Sequence, residues 1–314
     1  MKTILIINPY SKSGKSGKLA KNAVEYLNKY NFQHDVVFIN QFDEAYNLSQ
    51  KANLDGYDNI IALGGDGTIN NVINGFYDDN GNRISNSKFG VIYTGTSPDF
   101  CKSYKIPTTI DLACDKIRQG NSIKIPVGKI TYNSKNMFEH KQQSSTKISY
   151  FVCCANIGLG SSLALNANSG IRKYLGDFTG TFVSLIKTLT QFKASDIDLV
   201  IDSQESKLKN TMNISVGITR YIASGIQVRT ATNNPDQFYL IKFSQTPFYK
   251  LFDVFYRIYS GKIKQNDDFL NISSCKSLTI SCNDKDFGVE FDGDPRGILP
   301  CSIEFAKDKL DLIC

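Results

Sequence analysis

Residues 63–76 read LGGDGTINNVINGF. An apolar run closes on Gly64-Gly65-Asp66-Gly67-Thr68, and a helical pattern begins at once. Three glycines let a backbone approach a ligand closely, and the free N–H groups of a helix start attract phosphate oxygens. An aspartate inside a phosphate loop repels that ligand unless a cation stands between them. Magnesium, which takes hard oxygen ligands and bridges nucleotide phosphates, is the natural choice. The pentad therefore reads as a phosphate site at the end of a buried strand rather than as a plain turn.

Working outward, TILIIN (3–8), HDVVFIN (34–40), NIIALGG (59–65) and FGVIYTG (89–95) read as strands buried on both faces. Between them lie helical patterns from Ser16, around Asp43 to Ala52, and in TINNVINGFY (68–77). The first of these carries Leu19, Ala23, Tyr26, Leu27 and Tyr30 on one face. This βαβ rhythm predicts a parallel sheet covered by helices, with ligands at the C-terminal strand ends. The first strand runs into NPYSKSGKS (8–16), one residue away from a P-loop, with Pro9 in the place of its first glycine. Proline has no N–H and a fixed φ, so it cannot fill that role. Lys12, Lys15, Lys18 and a helix N-terminus could still hold an anion. Taken alone, these residues read better as an ordinary βα turn with solvated lysines.

From about residue 123 the rhythm changes. IKIPVGKITY, KISYFVCCANI, DIDLVID, TMNISVGIT, FYLIKF, SLTISC and FGVEFDG are short, often alternating strands separated by polar turns. They predict an antiparallel sandwich or barrel-like second domain, with NSKNMFEHKQQSSTK (133–147) as a hairpin loop. Helical patterns interrupt it in DFTGTFVSLIKTLTQF (177–192) and TPFYKLFDVFYRIYSGKIK (246–264). The latter groups Phe248, Leu251, Phe252, Phe255 and Tyr259 on one side, with Lys250, Arg257, Lys262 and Lys264 nearby. A stripe packed on the sheet is the ordinary reading, and a membrane-surface helix is the alternative.

Composition narrows the field. The chain has 314 residues, 41% hydrophobic and 21% charged, enough for one large or two ordinary globular domains. A net charge of +6 with scattered lysines suits acidic small substrates or an anionic membrane surface, and no nucleic-acid partner is expected. The eight cysteines lack a disulfide spacing, and with only His34 and His140 a structural zinc site is not expected. A Cys–His nucleophile pair is the weaker alternative. No signal-peptide segment or membrane-spanning run stands out, so a cytoplasmic location is expected.

In order along the chain, INPYSKSGK (7–15), GGDGTINNVINGF (64–76), GTSPDFCKSYKIP (95–107), the stretch 151–189 and FDGDP (291–295) are each similar to an element of one family. Together they make the sequence resemble the diacylglycerol kinase catalytic-domain family, which includes bacterial lipid kinases and the sphingosine and ceramide kinases. That resemblance implies a phosphofructokinase-like α/β domain over 1–122, completed by about 301–314, and a β-sandwich lipid-substrate domain over 123–300. It implies ATP as co-substrate, Mg2+, and transfer of the γ-phosphoryl group to the hydroxyl of diacylglycerol or a related lipid at a membrane surface. Asn8, Pro9, Ser11, Lys12, Asn40, Gly64, Gly65, Asp66, Gly67, Thr68, Thr94, Gly95 and Thr96 would meet the nucleotide. Asp66 and Asp99, with Asp236 as a further candidate, would organise metal. Asp294 would act as base, with Asp292 and Asp66 beside it. A homodimer is left open.

Four positions depart from the family pattern. Asn71 stands where glutamate is common, and Ser97-Pro98 replaces Ala-Asn before Asp99. Asp294 replaces a glutamate base, one methylene shorter. YIASGIQV (221–228) and NNPDQF (233–238) replace a triple glycine and a D-D-G metal element. Two alternatives follow: an NAD kinase, which also carries G-G-D-G-T, and a catalytically weakened lipid- or nucleotide-binding relative.

Overall fold

The structure, a computed structural model, describes the chain except residues 12–15, 42, 135–144, 169–187, 190, 223–224, 230–233, 266 and 283–286. Its first half alternates strand and helix: β1 (Thr3–Ile7), α1 (Ser16–Lys29), β2 (Asp35–Phe38), α2 (Glu44–Leu54), β3 (Asn59–Gly64), α3 (Asp66–Asn74) and β4 (Lys88–Tyr93). Helices α4 (Asp99–Tyr104) and α5 (Ile110–Gln119) follow, then β5 (Ser122–Ile125). β1 pairs in parallel with β2 and β3, and β3 with β4. The continuous apolar runs are explained by burial on both sides. Leu5 and Ile7 face α1 and α5, with Ala20, Ala23, Leu27, Ala113 and Ile117. Ile6 faces α2 and α3, with Ala45, Ala52, Ile69 and Val72. Alternate residues of one strand thus feed two cores.

The second half holds β6 (Gly128–Ser134), β7 (Ser145–Phe151), β8 (Cys154–Gly158), α6 (Leu159–Asn168), β9 (Ser195–Ile201) and β10 (Gln204–Gly217). The short hairpin β11 (Tyr221–Ile222) and β12 (Ile226–Gln227) comes next, then β13 (Phe238–Ser244) and α7 (Phe248–Ser260). Strands β14 (Leu270–Cys275), β15 (Leu278–Cys282), β16 (Gly288–Phe291) and β17 (Asp294–Phe305) complete this half. Its strands run in the order β14-β13-β10-β8-β16-β17-β15-β9, all neighbours antiparallel, with β6 paired to β17 and β7 paired to β6. Because β9 pairs with β15 and also with the first half of β10, the sheet closes on itself around Ile157, Leu199, Ile214, Val216, Ile280 and Val289. The hairpin expected around residues 133–147 is the β6–β7 pair, and its loop lies outside the described residues. The helix expected over 177–192 lies largely outside them too.

Two segments join the halves. The run IKIPVGKITY does not form one strand: Pro126, which has no N–H to donate, separates β5 from β6. β5 pairs with the last strand, β18 (Leu310–Ile313), and β6 pairs with β17. β18 lies between β4 and β5 in the order β2-β1-β3-β4-β18-β5, so the final residues return to the first sheet. Sheet membership therefore changes after Ile125 on the way out and after Phe305 on the way back. All eight cysteines are free thiols. Among the described residues no helix is long and apolar enough to cross a membrane.

Candidate active site

Because β1, β3 and β4 are neighbours, the loops at their C-terminal ends meet. The Asn8 backbone N–H donates to the Leu63 carbonyl (2.9 Å), and Asn8 Nδ2 donates to Thr68 Oγ1 (3.0 Å). The Thr94 N–H donates to the Gly64 carbonyl (2.9 Å). Ser16 Oγ donates to Thr94 Oγ1 (2.9 Å), and Ser11 Oγ bonds both hydroxyls. Glycine is required at the crossing: a Cβ on Gly95 would stand 2.9 Å from Gly65 Cα and 2.5 Å from the Tyr93 hydroxyl. No side chain caps the start of α3 at Gly65, leaving its first N–H groups for a ligand.

Tyr93 organises this loop pair. Its hydroxyl donates to Asp66 Oδ2 (2.8 Å) and accepts the Ser97 N–H (2.8 Å). Burial pushes the Asp66 carboxyl up to about 7, the Tyr93 hydrogen bond opposes this, and the negative charges of Asp99 and Asp292 add to it. Asp99 is buried at the start of α4, with Ser97 Oγ donating to its Oδ2 (3.3 Å). Asp66 and Asp99 are thus two like-charged carboxylates close enough to feel one another. Magnesium commonly binds one or two carboxylates together with phosphate oxygens and waters, so this pair fits it. Among the described residues no group of three His, Cys, Asp or Glu side chains forms a closed cation cage.

A third piece comes from the other half of the chain. The turn between β16 and β17 carries Asp292 (φ 50°) and Gly293 (φ 92°) in the left-handed region. The Asp292 carboxylate accepts from Asn70 Nδ2 (2.9 Å) and the N–H groups of Val152 (2.9 Å), Cys153 (2.8 Å) and Cys154 (3.2 Å). Burial raises its pKa while these donors hold it down. Four donors on two oxygens commit this carboxylate to holding the turn, the start of β8 and α3 together. Asp294 accepts from Arg296 Nη2 (3.2 Å), which also donates to Asn70 Oδ1 (3.3 Å). Burial raises the Asp294 pKa and the Arg296 charge lowers it, leaving it above the usual carboxylate range. Behind the turn, buried Glu290 accepts from the Gly293 N–H (2.6 Å) and Asn156 Nδ2 (2.7 Å), and Asn156 Oδ1 accepts from Ser215 Oγ (2.6 Å). Burial pushes Glu290 up to about 8.

Of the residues singled out in the sequence, the structure brings Asn8, Ser11, Gly64, Gly65, Asp66, Thr68, Thr94 and Gly95 into one loop cluster. Pro9 and Gly67 belong to the same loops, and Thr96 is exposed beside Gly95. Asn70 ties that cluster to the Asp292–Asp294 turn. Asn40 is exposed past the end of β2, its N–H donating to Glu44 Oε2 (2.7 Å). Lys12 lies outside the described residues. Asp236 is exposed and ion-paired with Lys309 (2.9 Å), so an ammonium already meets the carboxylate offered as a third metal ligand. As for the Cys–His alternative, burial pushes the Cys153 thiol well up, His34 Nδ1 pairs with the Phe32 carbonyl (2.6 Å), and His140 lies outside the described residues. Sequence reading missed Asn70, Tyr93, Glu290 and Arg296, although Asn70 lies within the glycine-rich stretch itself.

The loop cluster sits within residues 2–130, and those residues match the family model of the diacylglycerol kinase catalytic domain. A diacylglycerol kinase of Staphylococcus carnosus (strain TM300) is 26% identical over 200 residues, 64% of this chain and 58% of that one. One of Staphylococcus aureus (strain MRSA252) is 28% identical over 198 residues, 63% of this chain and 56% of its own. The match thus spans less than three fifths of the length of these relatives. The crystal structure of a diacylglycerol kinase from Bacillus anthracis str. Sterne superposes with a TM-score of 0.68 at 19% identity, covering 99% of this chain and 96% of that one. At that identity the likeness shows the fold, an α/β domain with an antiparallel β domain.

Proposed function

We propose that this protein is a lipid kinase, transferring the γ-phosphoryl group of ATP to the hydroxyl of diacylglycerol or a related lipid at a membrane surface. The observation that carries the reading is the convergence of the Gly64–Thr68 loop, the Thr94–Asp99 loop and the Asp292–Asp294 turn through Asn70. Phosphoryl transfer asks little covalent chemistry of a protein; positioning, charge neutralisation and one base suffice. The uncapped N-terminus of α3 and the glycine crossing would cradle phosphate oxygens, with the Ser11, Ser16 and Thr94 hydroxyls alongside. Asp66 and Asp99 would hold magnesium, which neutralises phosphate charge when bound.

Asp294 would take the proton of the acceptor hydroxyl. Its raised pKa brings it nearer the operating pH, where a general base works best. Arg296 orients it. Asp292, saturated with donors, would position the turn rather than shuttle a proton. Being one methylene shorter than glutamate, Asp294 depends on that turn for its reach.

The test is magnesium-dependent transfer of label from ATP to a panel of lipids in mixed micelles, with NAD as a non-lipid acceptor and Asp294→Asn beside the wild type. Label in one lipid, reduced by about 10²–10⁴ in the variant while ATP binding persists, supports both substrate class and base. Label in NAD alone, or in no acceptor despite ATP binding, sinks the reading.

A further inference from the structure

Helix α7 differs from its sequence expectation. Among the described side chains its inward face is Leu251, Val254, Arg257 and Ile258, packed beside Ile241, Phe243 and Ile272, and those of Phe248, Phe255 and Tyr259 lie outside the description. Phe252, expected in that stripe, points outward. Tyr249, Phe252 and Tyr256, spaced i, i+3 and i+7, are 76%, 77% and 64% exposed. A solvated helix face carries polar and charged side chains, and a contiguous exposed apolar patch marks an interaction site.

We propose that this aromatic face is where the protein seats itself on an anionic lipid bilayer. The proposal rests on the lipid-kinase reading for its partner and on the exposed helix for its location. Three observations favour a bilayer over a protein. First, the chemistry suits a headgroup layer: tyrosine and phenylalanine place apolar rings in the acyl boundary and a phenol among polar groups. Asp253, the acidic residue on this face, shares Arg257 (2.8 Å) with Asp267 (2.6 Å), so its charge is offset in part and the positive charge offered to a bilayer comes from the lysines. Exposed Lys250, Lys262 and Lys264 lie in the helix or just past its end, on a chain of net charge +6. Such lysines contribute roughly 1 kcal/mol each near an anionic surface.

Second, the area is wrong for a second copy. Three aromatic side chains at this exposure offer roughly 400 Å², about half of what one partner contributes to a stable protein interface. Third, the helix is coupled to the candidate site. Its terminal Gly261 carbonyl accepts the Arg229 N–H (3.2 Å) just past β12, and Tyr221 of β11 donates its N–H to Ser103 Oγ of α4 (3.4 Å), the helix that begins with Asp99. One hairpin therefore separates the docking face from the helix that carries a candidate metal ligand. Thirteen residues span only about 20 Å, so the helix would lie in the plane of the interface rather than cross it.

The chain contains no tryptophan, so Phe252→Trp installs a single reporter in the patch. Its emission is expected to shift to the blue on vesicles of equal phosphatidylglycerol and phosphatidylcholine, and to be quenched by brominated acyl chains. The triple variant Tyr249→Ser, Phe252→Ser, Tyr256→Ser is expected to lose vesicle partitioning by about tenfold or more. Its transfer to short-chain diacylglycerol, dispersed below the micellar concentration, should equal that of wild type, while transfer to diacylglycerol in vesicles falls with binding. An unshifted tryptophan, or a triple variant that partitions like wild type, overturns the proposal. So does a wild-type dimer that the triple variant turns into monomers, since a second copy would then own the face. Blue-shifted tryptophan with no transfer to any lipid of the panel leaves the docking face standing and sinks the kinase reading instead.

Discussion

At the scale of single residues, the side chain that does most to join the two halves is Asn70. Its amide donates to the Tyr150 carbonyl (2.9 Å) and to Asp292, and its oxygen accepts from Arg296. Asn70→Ala removes one of four donors from Asp292 and one of two from the Tyr150 carbonyl, which Asn74 Nδ2 still reaches (2.9 Å), so both groups stay partnered and each lost bond costs about 0.5–1.5 kcal/mol. A lowered denaturant midpoint, with catalytic loss exceeding any loss of ATP affinity, is the expected outcome in unfolding and kinetic assays. None of this was readable beforehand, because these three partners lie 80 to 226 positions away in the chain, and only Asn74, which also donates to the Asn70 side-chain oxygen (3.2 Å), is local. What the sequence did disclose were the groups whose spacing is local: the glycines, Asp66 and Asp99. Glu290 supplies a second prediction. Burial holds it protonated up to about 8 against an ordinary carboxylate near 4.5, so folding favours its neutral form. Its sign is therefore the reverse of a salt-bridged acid: stability is intact below about 4.5 and falls as pH rises toward 8. Glu290→Gln should flatten that slope in urea titrations between pH 5 and pH 8, whatever constant offset the amide introduces.

At the scale of elements, periodicity read most of the first sheet correctly because its strands are buried on both faces and its helices on one. It failed where one string of residues serves two structures. IKIPVGKITY has a single strand pattern, yet Pro126 divides it between two sheets. The aromatics of α7 satisfy a helical period on two faces at once, and only packing decides which face is covered. The glycine loops after β3 and β4 yield a third prediction. Gly95→Ala would place a Cβ 2.5 Å from the Tyr93 hydroxyl and 2.9 Å from Gly65 Cα, closer than real Cβ contacts allow. The loops must part and the Tyr93–Asp66 bond must lengthen. Calorimetric titration should show ATP affinity reduced by about tenfold or more while the melting temperature changes little, the cost falling on loop geometry rather than on the core. Unchanged affinity would remove the glycine crossing from the nucleotide site.

At the scale of the whole molecule, β18 decides whether the first sheet is complete. Leu310, Leu312 and Ile313 are buried between β4 and β5, and burying each such side chain contributes about 1.5–3 kcal/mol. Deleting residues 306–314 should remove stabilisation comparable to the total for an ordinary domain, and circular dichroism melts of the shortened chain should lose their cooperative transition. β18 also sets an order of events during synthesis. Strands β1 to β4 leave the ribosome early, but their sheet stays open at the edge of β4 until more than two hundred further residues have emerged. A vacant strand edge of that kind invites pairing with other chains. The usual sequence, in which an N-terminal domain folds while the rest is still being made, is closed to this protein. Its two halves must mature together, and a nascent chain stalled after β17 would present an unfinished α/β sheet to the chaperones that guard such edges.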